Sequence, residues 1–140
     1  MTMTMTLTEA RQELRDLIDA AGPEHLDLGP MLSVDGSPTT FHGRDAVAAA
    51  EAEGRPWTAC AMGFKLLLPP LTRRFLDSFS IDAVYGKGFS DRTSRWNDWK
   101  IDGWNAGTAY RARLDDGEPV RNAQHAVIVE ALDMLIKRAD

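Results

Sequence analysis

The sequence predicts a single, mainly helical α+β domain, and three observations support that fold class. The chain has 140 residues, of which 44% are apolar and 26% are charged, a composition typical of a compact globular domain. Residues 7–21 and 119–138 repeat apolar residues at helical spacing. Short alternating stretches between them indicate a small β element. We therefore expect one domain over residues 1–140, with residues 1–5 frayed and an irregular, aromatic-rich loop over residues 86–107.

The N-terminal part of the chain predicts an amphipathic helix followed by a hairpin. Thr6 and Glu9 have the spacing of a capping box, so a helix should begin at Leu7. A Gly-Pro pair at residues 22–23 then ends it. Over residues 30–41 two short extended pieces flank the turn residues Asp-Gly-Ser-Pro, a pattern typical of a hairpin.

Two capping residues predict the next helices. Asp45 is placed to cap an Ala-rich helix over residues 46–53, which supplies helix propensity but little apolar bulk. Thr58 is placed to cap a helix over residues 59–68, which a double proline ends.

The C-terminal half predicts a short helix, a strand and a long helix. Leu71, Phe75 and Phe79 are four residues apart and should pack on the core as one helix face. Residues 108–114 alternate in a way that favours a half-buried strand, with Arg111 and Arg113 facing solvent together. A proline at residue 119 is favourable at the first position of the last helix, which is amphipathic.

Charge and composition exclude several function classes. The net charge of −5 argues against bulk attraction to nucleic acid or to an anionic membrane. Residues 61–113 are nevertheless cationic, with nine Lys/Arg against five Asp/Glu, although these charges would also neutralise the acidic ends of the chain across the fold. No apolar run approaches the roughly 20 residues that cross a bilayer. With no secretory signal and a single cysteine, a cytoplasmic protein without a disulfide, metal or cofactor is expected.

Cys60 is the candidate nucleophile of an enzymatic alternative. It is predicted near a helix N-terminus, where backbone N–H groups would lower the pKa of the thiol. His125 on the last helix would serve as base, with Asn97 or Asp98 orienting it, in a thiol hydrolase or acyl transferase. The alternative interpretation is that Cys60 is a small buried hydrophobe, that Gly63 allows close packing, and that the histidine lies on the helix flank.

The middle of the chain interleaves aromatic and cationic residues, which suggests a binding surface. Trp, Tyr and Arg dominate binding hot spots because they bury large areas at low rotamer cost. The candidate binding residues are Trp96, Trp99, Trp104, Arg92, Arg95, Lys100, Arg111 and Arg113. We therefore expect a small non-enzymatic binding protein that docks a protein partner through this loop.

Two other interpretations of the same residues stay open. The tryptophans would instead form a satellite core that holds the loop down, with Asn97 and Asp98 bonding turn amides. They would alternatively stack the bases of a single-stranded nucleic acid while the cations follow its phosphates. Three loop acids, Asp91, Asp98 and Asp102, dilute the cationic field and disfavour that second alternative.

Three stretches resemble a family of small uncharacterised proteins from actinobacteria and their phages. They are Cys60-Ala61-Met62-Gly63, Trp96-Asn97-Asp98 and the C-terminal amphipathic helix over residues 126–139, and the first helix is similar in position. The similarity covers about half of the chain. It implies a bacterial or phage-related intracellular protein, with Cys60 and the Trp-Asn-Asp residues as structural or site positions. The family has no settled activity, so the resemblance implies no reaction.

Overall fold

The computed structural model describes residues 5–29, 31–39 and 43–138. Seven α-helices lie within those ranges: α1 (Leu7–Ala21), α2 (Gly43–Ala52), α3 (Ala61–Lys65), α4 (Pro70–Asp77), α5 (Ile81–Tyr85), α6 (Ala106–Asp115) and α7 (Val120–Arg138). Two 3-10 helices (Pro23–His25 and Thr93–Asp98) and five short strands complete the described part: β1 (Leu32–Val34), β2 (Ser37–Pro38), β3 (Trp57–Ala59), β4 (Lys100–Ile101) and β5 (Trp104–Asn105). The prediction of a mainly helical α+β fold is confirmed.

Helices α1 and α7 pack against each other and form the centre of the core. The predicted capping box begins α1, since the Glu9 amide donates to Thr6 Oγ1 at 3.1 Å and the Thr6 amide donates to Glu9 Oε1 at 3.2 Å. Leu14 and Ile18 on α1 and Leu132 on α7 are fully buried. Both helices therefore have the faces that their apolar spacing predicts. No helix in the described part of the chain has the length and apolar character needed to cross a membrane.

A three-stranded antiparallel sheet in the order β2-β1-β3 covers one side of the core. The predicted hairpin is present as β1 and β2, and its turn places Asp35 and Gly36 at φ values of 53° and 81°. Residues 30, 40 and 41 of the predicted hairpin lie outside the described residues.

The predicted helix over residues 59–68 is wrong at both ends, because residues 57–59 form β3 and the helix ends at Lys65. Thr58 does not cap it, because Thr58 lies in β3 and pairs with Ser33 of β1. The helix begins after Cys60, and α3 has only five residues. Thr58 and Ala59 pair with β1 as a strand, and tertiary pairing of this kind overrides the helix propensity of Ala59.

Helices α2 and α4 confirm the predicted elements with shifted boundaries. The Ala-rich helix begins at Gly43, so that Asp45 lies inside its first turn instead of before it. Phe75 and Phe79 contact each other at 5.2 Å between ring centroids and pack against the core, although Phe79 lies beyond the end of α4 and not on its face as predicted. Leu71, by contrast, is 59% exposed, so its predicted place in the core is wrong.

The predicted strand over residues 108–114 is wrong, because this segment is helix α6. The Asn105 side chain accepts a hydrogen bond from the Thr108 amide at 3.0 Å and caps the helix. Alternating Ala and Arg residues resemble a strand pattern, but both types are also strong helix formers. Residues two apart on a helix do not share a face, so Arg111 and Arg113 bind different partners.

Candidate binding surface and thiol site

Residues 85–111, here called the aromatic segment, are ordered around a cluster of rings. The segment contains the second 3-10 helix, the β4–β5 hairpin and the start of α6. The prediction of an irregular loop over residues 86–107 is therefore wrong for these parts. The rings form one chain of contacts: Tyr85–Phe89 at 4.6 Å, Phe89–Trp99 at 4.7 Å, Trp96–Trp99 at 5.2 Å, Trp96–Tyr110 at 5.0 Å and Trp99–Trp104 at 6.3 Å between centroids.

The inner rings of this cluster are buried, and their polar atoms are satisfied. Trp96 and Trp99 have no exposed surface. The indole Nε1 of Trp96 donates to the Ser90 carbonyl at 2.7 Å, and that of Trp99 donates to the Tyr85 carbonyl at 2.9 Å. Buried indoles that retain a hydrogen-bond partner are stable core residues. The expectation that these two rings are exposed is wrong. They are buried, as the alternative interpretation has it, but they belong to the same core cluster as Leu14 and Ile18 and not to a separate satellite core.

Gly88 explains why the segment can close so tightly. At φ +91°, its backbone lies against the carbonyl of Asp98, and a Cβ built on it would be 1.9 Å from that oxygen. Any other residue at this position would force the backbone around residue 88 away from the backbone at Asp98. Gly88 therefore serves close backbone packing, whereas Gly86 lies against the side chains of Trp99 and Ile101.

Five cations of the segment are exposed, Lys87 among them; the four that were predicted as binding residues, Arg92, Arg95, Lys100 and Arg111, are here called the basic surface. Within the described residues no carboxylate lies within ion-pair distance of any of them. Arg111 Nη1 donates to the uncharged Asn97 Oδ1 at 2.6 Å and ties α6 to the second 3-10 helix. The predicted residue Arg113 does not belong to this surface, because it pairs with Glu118 at 3.0 Å.

The backbone beneath the basic surface is held by the ring cluster. Trp96 lies next to Arg95 in the chain, and Tyr110, its ring partner, lies next to Arg111. Asn105 Nδ2 donates to the Asn97 carbonyl at 3.0 Å and joins β5 to the 3-10 helix. Trp104 is half-buried at the edge of the cluster. The tryptophans thus position the cations, while the acid Asp98 is also exposed on the same 3-10 helix.

The thiol of Cys60 is not activated. Cys60 is the N-cap of α3, and its Sγ accepts a hydrogen bond from the Gly63 amide at 3.4 Å. Burial nevertheless raises the pKa of the thiol, and the negative charge of Asp91 raises it further, whereas the nearby amides only partly oppose this. The predicted lowering of the pKa is wrong, because desolvation of the thiolate outweighs the amides of a five-residue helix.

The residues predicted to act with Cys60, namely His125 and Asp98, lie in other parts of the fold. His125 is buried between α7 and α1, where its Nε2 lies 2.8 Å from the Ile18 carbonyl. Asp98 is exposed on the second 3-10 helix. In the described part of the chain no hydrogen bond or ion pair joins Cys60, His125 and Asp98. A nucleophile needs its base within hydrogen-bond reach, so this set is not assembled.

The groups that do surround the thiol were not predicted. Tyr85 donates its hydroxyl to the Ala61 carbonyl at 2.6 Å, and burial raises its pKa well above the ordinary value, with Asp91 and Cys60 adding to the effect. Asp91 Oδ1 is buried and has no hydrogen-bond partner among the described residues. Burial raises the pKa of Asp91, and the Ala61 amide partly opposes this. The sequence places Asp91 among solvated loop acids, and no local signal marks it as buried.

Both motifs of the sequence resemblance have structural roles here. A Cβ on Gly63 would lie 1.6 Å from the Met31 carbonyl, so this position needs glycine for close packing. Trp96 is core, and Asn97 holds α6 through Arg111. Comparison of the chain with protein-family models, with curated proteins and with solved structures finds no significant match. The resemblance to actinobacterial and phage proteins stays a prediction.

The described residues contain no cluster of three or more His, Cys, Asp or Glu side chains that could hold a metal ion.

Proposed function

We propose that this chain is a small non-enzymatic binding protein that docks an acidic protein partner through the basic surface. The observation that carries the proposal is the arrangement of Arg92, Arg95, Lys100 and Arg111. These cations are exposed, they have no carboxylate partner among the described residues, and they project from a backbone held by buried rings. Because no described carboxylate neutralises these four cations, their charge is available to an external anion.

A fixed backbone favours binding because it reduces the ordering cost on association. The rings and the Asn97–Arg111 hydrogen bond position the cations before the partner arrives. Complementary charge then increases the association rate and selects against basic partners. Trp104, half-buried at the edge of this surface, offers additional apolar contact area.

An acidic protein is favoured over a single-stranded nucleic acid for a specific reason. Nonspecific single-strand binding combines a cationic track with exposed aromatic faces on which bases stack. Trp96 and Trp99 have no exposed face in this structure. Of the three tryptophans on which that alternative depends, only the half-buried Trp104 therefore has surface on which a base could stack.

The test is an NMR titration of the protein with polyglutamate and, separately, with oligo-dT. We expect polyglutamate to shift the amides of residues 92–111 and to bind roughly fivefold more weakly to the Arg95→Gln/Arg111→Gln double variant, since each exposed ion pair contributes modestly. The control is Lys137→Gln, because Lys137 is an exposed cation near the end of α7.

Three results would contradict the proposal. Amide shifts confined to other parts of the molecule would place the contact elsewhere. An equal loss of affinity in the Lys137→Gln control would show that binding depends on net charge and not on the basic surface. Tighter binding of oligo-dT, with an affinity that falls by orders of magnitude with added salt, would favour a nucleic acid instead.

A further inference from the structure

A second set of unpaired arginines lies away from the aromatic segment. The first turn of α2, helix α4 and the chain between α3 and α4 line an open groove of about 490 Å³. The apolar cleft between α1, α3 and α5 has only about 40 Å³, whereas the groove falls within the roughly 300–1,000 Å³ of small-molecule sites. Arg44 of α2 and Arg73 and Arg74 of α4 line the groove from two sides.

These three arginines, like those of the basic surface, have no carboxylate partner among the described residues. Arg15, Arg55, Arg113, Arg121 and Arg138 each form an ion pair with a carboxylate. Arg44, Arg73 and Arg74 form none with the carboxylates that the structure describes, although two acids line the same groove. Their guanidinium groups are therefore free to bind an anion from solution.

The acids of the groove do not cancel this charge. Asp77 is held by Lys65 at 2.9 Å, so that pair is neutral. Asp45, in the first turn of α2, is the remaining acid among the lining residues. Three arginines against one uncompensated carboxylate leave the groove with a positive potential, and a concave wall strengthens such a potential.

We propose that this groove binds a small organic phosphate. Planar guanidinium forks match the oxygens of a phosphate and form paired, charge-assisted hydrogen bonds with it. Leu66, Leu68 and Pro70 supply an apolar part of the wall on which the organic portion of the ligand lies. The site is distinct from the basic surface and does not depend on the proposed protein partner.

The test is a calorimetric titration with phenyl phosphate, whose ring and dianion represent the two halves of the ligand. We expect one site per chain, competition by inorganic phosphate and no binding of phenol. The Arg73→Gln/Arg74→Gln variant should bind about tenfold more weakly, because charge-assisted hydrogen bonds are lost. Since both positions are exposed, the variant should fold.

The matched control removes the same charge elsewhere. The Lys87→Gln/Lys137→Gln variant also loses two exposed cations, and neither lines the groove. It should bind phenyl phosphate as the unmodified protein does. An equal loss in this control, equal binding of phenol, or no binding at millimolar phenyl phosphate would overturn the proposal. The polyglutamate titration of the Arg73/Arg74 variant should be unchanged, which separates this site from the basic surface.

Discussion

Helices α1 and α7 and the aromatic segment both bury large side chains, but they specify that burial differently. On the helices, Leu14, Ile18 and Leu132 are buried because their spacing places them on one face. In the aromatic segment, the neighbours Arg95 and Trp96 have opposite exposure without any regular period. There the buried indoles are those whose N–H donates to a backbone carbonyl, as that of Trp96 donates to the Ser90 carbonyl. In this segment, hydrogen-bond geometry rather than periodicity decides which side chains are available for contact.

Removal of a central ring of the aromatic segment should lower the free energy of unfolding more than any other substitution proposed. Trp99→Ala deletes the ring that contacts Phe89, Trp96 and Trp104, and it leaves the Tyr85 carbonyl without its donor. We expect the free energy of unfolding to fall by about 3–5 kcal/mol, as measured by chemical denaturation.

Trp104→Ala is the matched control. Because Trp104 is half-buried, its removal should lower the free energy of unfolding clearly less. If Trp99→Ala kept its stability and lost only polyglutamate binding, Trp99 would be an exposed contact residue, and the account of the aromatic segment would be wrong.

A smaller effect should come from the backbone contact that closes the segment. Gly88→Ala places a Cβ against the Asp98 carbonyl in a backbone conformation that L residues rarely adopt. We expect a loss of about 2 kcal/mol or more in thermal or chemical unfolding. Gly117→Ala has a similar φ of +87° but no atom within 4 Å of its Cβ, so it should cost only about 1 kcal/mol. Equal losses in the two variants would show that the close approach contributes nothing.

The smallest effect concerns the buried carboxyl beside the thiol. The folded-state pKa of Asp91 is raised above its ordinary value of 3.8, so the folded protein holds this proton more tightly than the unfolded chain does. The contribution of this group to stability therefore falls as the pH rises from 3.8 through the folded-state pKa, and it stays low above that pH.

Asp91→Asn removes the charge and keeps the shape. At neutral pH we expect this variant to be more stable on the order of 1 kcal/mol, because a buried oxygen without a partner is no longer ionised. The gain should disappear in acid, below pH 3.8. Asp98→Asn, at an exposed position, should leave the pH profile unchanged. A gain of the same size at every pH would contradict the assignment to Asp91.

The parts of the fold that could be predicted are those set by local pattern. The capping box at Thr6 and the apolar face of α7 depend on residues within a few positions of each other, and both are confirmed. The strand that replaces the predicted cap at Thr58 depends on pairing with Ser33, which is distant in sequence. Helix α6 is not predicted from the sequence, because its residues fit the spacing of a strand as well as that of a helix. The cap at Asn105 favours the helix.

The candidate sites were predictable only in part. The exposed cations around Arg95 could be recognised by composition, but the burial of Trp96 and Trp99 could not, because the carbonyls that satisfy them are positioned by tertiary contacts. Cys60 is predicted at about the second residue of a helix, and it lies close to that position, as the N-cap of α3. Its raised pKa comes from burial and from Asp91, which lies far from it in the chain. Nothing in the sequence indicates that Arg44 of α2 and the arginines of α4 line the same groove.

Hydrogen exchange of the indole N–H groups, followed by NMR, tests the central claim most directly. If the inner rings are the scaffold of the basic surface, the indole protons of Trp96 and Trp99 should exchange only on global unfolding and should persist for hours in heavy water. The indole proton of the half-buried Trp104, which donates to no described acceptor, should exchange within the dead time. Rapid exchange of the Trp96 and Trp99 protons would contradict the account, because these rings would then be open to solvent and to a partner.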